Sequence, residues 1–126
     1  MIAVIFEVLP AEGQREHYLR RAANLRPVLE TMDGFISVER FQSLTHPGRM
    51  LSLSFWRDEA SVQAWRRLDE HRAAQAAGRG GVFQDYRLRV AQVVRDYGLR
   101  ERDEAPLDSR LRHAEVTEMP PTDHRA

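Results

Sequence analysis

Two runs of alternating polar and apolar residues stand side by side near the middle of this chain, separated by one tight turn. "GFISVERFQSL" (residues 34–44) and "MLSLSFWR" (50–57) each read as a strand, and "THPGR" at 45–49 carries the Pro-Gly chemistry of a hairpin. Helix-periodic segments flank the hairpin on both sides. Tyr18, Ala22, Leu25, Leu29 and Met32 recur at helical spacing within residues 12–32. Val62, Trp65, Leu68 or Asp69, Arg72 and Ala76 do so downstream. At the chain start, Ile2, Val4, Phe6 and Val8 alternate with Ala3 and Ile5, as in a strand buried on both faces. "YRLRVAQVVRDY" sets Leu88, Val90 and Val94 against Arg87, Arg89, Ala91, Val93 and Arg95, a last strand. The order is β-α-β-β-α-β, an α+β chain of the ferredoxin-like split βαβ type.

Local signals refine this order. Pro27 lies inside the first helical pattern and is expected to kink or split it. Asp33 and Gly34 are expected to stop that helix. Asp58 reads as the N-cap of the second helix, with Ser61 the next candidate.

Two helices cover one face of a four-stranded sheet. The uncovered face is expected to carry Ser52, Ser54, Glu39 or Arg40, Arg89 and several apolar groups. Such a face is too apolar for water and too polar for a core. A second copy packed sheet to sheet would cover it, so a homodimer is expected.

Residues 1–98 form the expected domain. From residue 99 to 126 the chain holds three prolines, many charges and few core-sized residues, and reads as an extended C-terminal tail. Leu107, Leu111 and Val116 are the side chains expected to dock it on the body or across the dimer.

Composition narrows the chemistry. The 126 residues carry 19 basic and 19 acidic side chains, a balance that speaks against nucleic acid or an anionic membrane surface as partner. No apolar run approaches the roughly 18 residues of a membrane span, and the apolar start lacks the basic flank of a leader; a cytoplasmic protein is expected. There is no cysteine, which removes disulfides, thiol nucleophiles and thiolate metal sites. There is no lysine either, which removes Schiff-base chemistry. The five histidines show no H-x-x-x-H or E-x-x-H spacing, so no metal site is expected.

The element order, "DGFISVERFQS", "LSFWRDEASVQAW" and above all "EHRAAQAAGR…DYRLRVAQVVRDYG" resemble the antibiotic biosynthesis monooxygenase family over residues 1–98. The resemblance implies a dimeric α+β barrel. Its members include cofactor-independent monooxygenases that oxidise polycyclic phenols to quinones, quinol monooxygenases and haem-degrading monooxygenases. Trp65 matches the tryptophan that lines the cavity in these branches. The haem-degrading branch has its iron-ligating histidine ten residues later, where this chain has Gln75. Its first-strand asparagine is matched here by Phe6 or Glu7. Haem degradation is the less expected activity on both counts.

The expectation is therefore a monooxygenase with no cofactor, whose partners are a phenolic or quinol-type small aromatic molecule and O2. Trp65 and His71 are the catalytic candidates, Trp65 as wall and His71 as the acid/base or donor that handles the phenol proton near neutral pH. Phe83, Arg79 and Tyr86 join Trp65 as candidate substrate-binding residues, Arg79 or Tyr86 stabilising the anion. Each has a bland counterpart: a core tryptophan, a surface histidine, a solvated arginine. The small residues Ala73, Ala74, Ala76, Ala77, Gly78, Gly80 and Gly81 at the helix end form either a pocket roof or a close backbone contact. The competing function is a non-catalytic small-molecule-binding or interaction protein on the same fold.

Overall fold

The structure is a computed structural model that describes residues 1–75 and 81–117, with the backbone alone described at 70–75 and 113–117. Its elements are β1 (Ile2–Pro10), α1 (Arg15–Glu30), β2 (Phe35–Gln42), β3 (Met50–Trp56), α2 (Glu59–Gln75), β4 (Phe83–Gln92) and α3 (Leu107–Thr117). Two compact units divide the chain, residues 1–92 and 93–126.

In the first unit the strands form one antiparallel sheet in the order β2-β3-β1-β4. This is the ferredoxin-like βαββαβ topology expected from the hairpin and its flanking helices. The turn between β2 and β3 is closed by Ser43 N donating to Arg49 O at 3.0 Å and Arg49 N to His46 O at 2.8 Å. Gln42 Nε2 adds a bond to the Pro47 carbonyl at 2.7 Å. A register shift between Phe35 and Ser37 leaves Ile36 as an extra residue on β2, 53% exposed.

Both helices of this unit lie on one face of the sheet. Leu29 of α1 joins Ile2, Val38 and Trp56 in a buried cluster, with Val62 and Trp65 of α2 packed against it. Tyr18 of α1 joins Val8, Met50 and Val82 in a second cluster. The helix-covered face of β3 is therefore Met50, Ser52, Ser54 and Trp56. This corrects the expectation that put Ser52 and Ser54 on the uncovered face. Alternation groups the residues correctly but does not say which group meets the helices. Here the two end residues decide it, since Met50 is 6% and Trp56 1% exposed.

The opposite face shows Ala3, Ile5, Leu51, Leu53, Phe55 and Phe41, with Glu39 and Ser37 at one margin. At the other margin Arg89 pairs with Glu7 at 3.0 Å. Neither α1 nor α2 covers it, and its centre is more apolar than expected.

Local details follow the same logic. α1 runs through Pro27 without being split, and it ends at Glu30 rather than at Asp33. Thr31 closes it by donating from Oγ1 to Val28 O at 2.7 Å. Gly34, at φ +84°, then turns the chain into β2; a Cβ there would clash with Ser61 Oγ. Asp58 caps α2, its Oδ1 accepting from Ser61 N at 2.8 Å and Ser61 Oγ at 2.7 Å. These bonds, and one from Arg57, hold the Asp58 carboxyl far below the usual carboxylate range. Arg57 also reaches across to Asp33 through two bonds of 3.0 and 2.9 Å, which lower the Asp33 carboxyl too.

β4 starts earlier than expected, at Phe83, and stops at Gln92, leaving Val94 83% exposed. In the second unit the segment expected to be extended contains the helix α3. Arg102 organises the approach to it, donating to Gly98 O and Ser109 O at 3.0 and 3.2 Å and standing 5.1 Å from the Tyr97 ring. Leu107 and Leu111 are exposed there, and the Val116 side chain lies outside the described residues.

Candidate functional site

The helix-covered face is not filled. Serines at the middle of β3 are much smaller than the Met50 and Trp56 that flank them. The sheet and the two helices are thereby held apart over Ser52 and Ser54, and a cavity of about 280 Å³ lies between them. This is close to the lower end of the usual small-molecule range, roughly 300–1,000 Å³.

The walls are mainly apolar and aromatic. Trp56 and Trp65 stand with ring centroids 6.4 Å apart and planes tilted by 31°. The Trp56 indole donates from Nε1 to Ser54 Oγ at 2.9 Å, which fixes the ring and satisfies its one polar atom. At the other end Phe83 meets Phe6 and Tyr18 edge to face, with ring centroids 5.8 and 5.7 Å away. Leu88 and Val90 of β4 line the cavity and are 53% and 45% exposed, so it opens along that strand.

Polar groups enter at few points. Arg40 of β2 and Ser52 are cross-strand partners, and both line the cavity. Arg21 of α1 and Asp69 of α2 line it as well and approach to 3.8 Å. Arg66 is the third arginine in the lining. Such a set favours an anionic over a cationic guest.

Of the residues expected at the site, Trp65 and Phe83 line the cavity. Tyr86 does not; it is 61% exposed and packs at 5.7 Å from Phe6 and 6.0 Å from Phe83. His71 lies on α2, but its side chain, that of Gln75 and the whole of Arg79 are outside the described residues. The same holds for the small residues from Ala73 to Gly80; Gly81, at φ +82°, turns into β4. Of the two first-strand alternatives, Phe6 faces the cavity, while Glu7 sits on the other sheet face paired to Arg89. Arg40, Ser52, Ser54, Trp56 and Asp69 are cavity residues that sequence reasoning did not single out. Period two from the apolar Val38 would have found Arg40.

Comparison with known proteins follows this geometry. The antibiotic biosynthesis monooxygenase family profile matches residues 1–77. A Pyricularia oryzae protein named jasmonate monooxygenase ABM is 54% identical over 94 residues, 75% of this chain and 44% of that protein. The chain thus spans less than half of that relative's length. The Bacillus subtilis protein YqjZ, uncharacterised, is 31% identical over 93 residues, 74% of this chain and 79% of that one. Among solved structures, a Deinococcus radiodurans protein carrying the same family name aligns with a TM-score of 0.66 at 13% identity, covering 78% of this chain and 97% of that one. The haem-degrader MhuD of Mycobacterium tuberculosis, with two haems bound, aligns at 0.60 and 22% identity, covering 78% and 100%. These structures speak for the fold. Profile match and sequence identity together settle the kinship: the chain belongs to the antibiotic biosynthesis monooxygenase family.

Proposed function

We propose that residues 1–92 act as a monooxygenase that needs no cofactor and takes a small phenolic or quinol-type substrate into the cavity under α1 and α2. The observation that carries this reading is the pairing of a tryptophan-walled apolar space with three lining arginines. Oxidation of a phenol to a quinone balances without an external reductant. The substrate loses the O–H proton and a ring C–H, one oxygen atom of O2 becomes the new carbonyl, and the other leaves as water. The protein must bind the ring, favour its anion and keep water out. Trp56 and Trp65 serve the first task, and Arg21 and Arg66 serve the second.

His71 retains its proposed role in handling the phenol proton, and Asp69 is the carboxylate of the lining that competes for it. The relative named for jasmonate, the anion of an acid, is in keeping with a mainly apolar guest that bears a charge. Haem fits the described residues less well. Phe6 offers no hydrogen bond, and a cavity of about 280 Å³ is small for a macrocycle. We further propose a cytoplasmic homodimer joined through the Ile5, Leu53 and Phe55 face; no described helix is long and apolar enough to cross a membrane.

The test is oxygen uptake with a panel of phenols and hydroquinones, with no reductant added. One O2 consumed per substrate is expected, with Trp65→Ala much slower. Ligand-induced stabilisation without any oxygen uptake would make this a binding protein instead.

A further inference from the structure

We propose that the substrate carries a carboxylate in addition to its reacting ring, and that Arg40 is the residue that holds it. The inference rests on the cavity being the substrate site, as proposed above.

The observation is an arginine whose charge is left without a partner. Among the described residues, Arg40 Nε is buried and has no hydrogen-bond partner. The described ion pairs use Arg21, Arg26, Arg57 and Arg89, and Arg40 belongs to none of them. Arg102 also has an unpartnered buried Nε, but its other nitrogens bind Gly98 and Ser109. The residue as a whole is only partly buried, and it enters no described hydrogen bond or ion pair. Arg40 lines the cavity, so a ligand lodged there can pair with the guanidinium's charge.

The chemistry of the group selects the anion. A guanidinium presents a planar fork of donors that matches two oxygens at once, which a carboxylate has and a phenolate lacks. A phenolate would also vanish during the reaction, since the quinone product is neutral. The arginine is charged at every stage and needs a partner that stays charged with it. Ser52, directly across the strand pair, offers a hydroxyl next to the same spot. The apolar walls then take the rest of the molecule.

The experiment uses calorimetric titration of the full chain with three probes of one skeleton: phenylbutanoate, its methyl ester and phenylbutanol. We expect the acid to bind at least tenfold more tightly than either neutral probe. In Arg40→Met that preference should disappear while phenylbutanol affinity stays. Arg40→Lys should keep part of it. Equal affinity of wild-type protein for acid and alcohol would overturn the proposal, without needing any variant to fold. So would an acid preference that survives in Arg40→Met. Oxygen uptake is measured separately: acid-selective binding without turnover would sink the monooxygenase reading alone. Turnover of a phenol bearing a carboxylate that Arg40→Met leaves unchanged would sink this inference alone.

Discussion

Trp56 at the end of β3 and Trp65 midway along α2 hold their rings 6.4 Å apart, yet one is 1% exposed and the other only partly buried. The pair therefore divides its duties. Trp56→Ala should destabilise the fold by about 3–5 kcal/mol, because it removes a core side chain and the bond to Ser54. Trp65→Ala should cost about 1–2 kcal/mol and act mainly on ligand affinity. Chemical denaturation beside ligand titration checks both. Equal destabilisation by the two would contradict the division.

Filling the cavity should abolish binding without harming the fold. Ser52→Leu places an apolar side chain on the cavity floor. Ligand affinity should fall at least tenfold, about 1.4 kcal/mol, while the melting temperature holds or rises. A melting temperature that drops sharply would mean the space is not there to fill.

Acid should loosen the start of α2. The Asp58 carboxyl is held down by Ser61 and Arg57, and Asp33 by Arg57. A carboxyl with a depressed folded-state value binds protons less readily when folded. Its contribution to stability is complete above the ordinary carboxylate range and is lost as pH falls through and below it. Asp58→Asn should flatten the stability profile of the acid limb below about pH 4. A profile parallel to wild type there would rule out this source.

Gly34 allows a close approach that any side chain would prevent. Gly34→Ala combines a positive φ with a Cβ that clashes with Ser61 Oγ. A loss of roughly 2 kcal/mol is expected, read by denaturant unfolding. Ser61→Ala in the same chain should recover only part, since Ser61 Cβ is itself 2.7 Å away.

The proposed dimer can be tested at the centre of its face. Leu53→Glu should yield a monomer by sedimentation at micromolar concentration, with the melting temperature no longer rising with protein concentration. A dimer unaffected by that charge would place the interface elsewhere.

The element order was legible because the hairpin between two helical segments admits few arrangements, and the sheet order followed from it. Of the candidate site, Trp65 was legible through its helical spacing and the family resemblance, and Phe83 through the segment that carries that resemblance; both line the cavity. What was missed is positional. Leu51, Leu53 and Phe55 look like the buried set of β3, yet Met50 and Trp56 at its ends meet the helices and carry the serines with them. Glu39 and Arg40 were equal candidates until β2 was seen to bury Val38. Pro27 does not split α1, and Leu29 just beyond it is buried with Ile2, Val38 and Trp56. Arg102 and Ser109 support a helix in a segment whose composition suggests none.

Ser52 and Ser54 have a further consequence. They contribute nothing large to either buried cluster, while the residues that do so sit at the ends of the same strand. The dimensions of the chamber are thus written in two positions, and the scaffold in others. Exchanges at those two positions would retune which guests are admitted, and evolution could explore that choice without renegotiating the architecture.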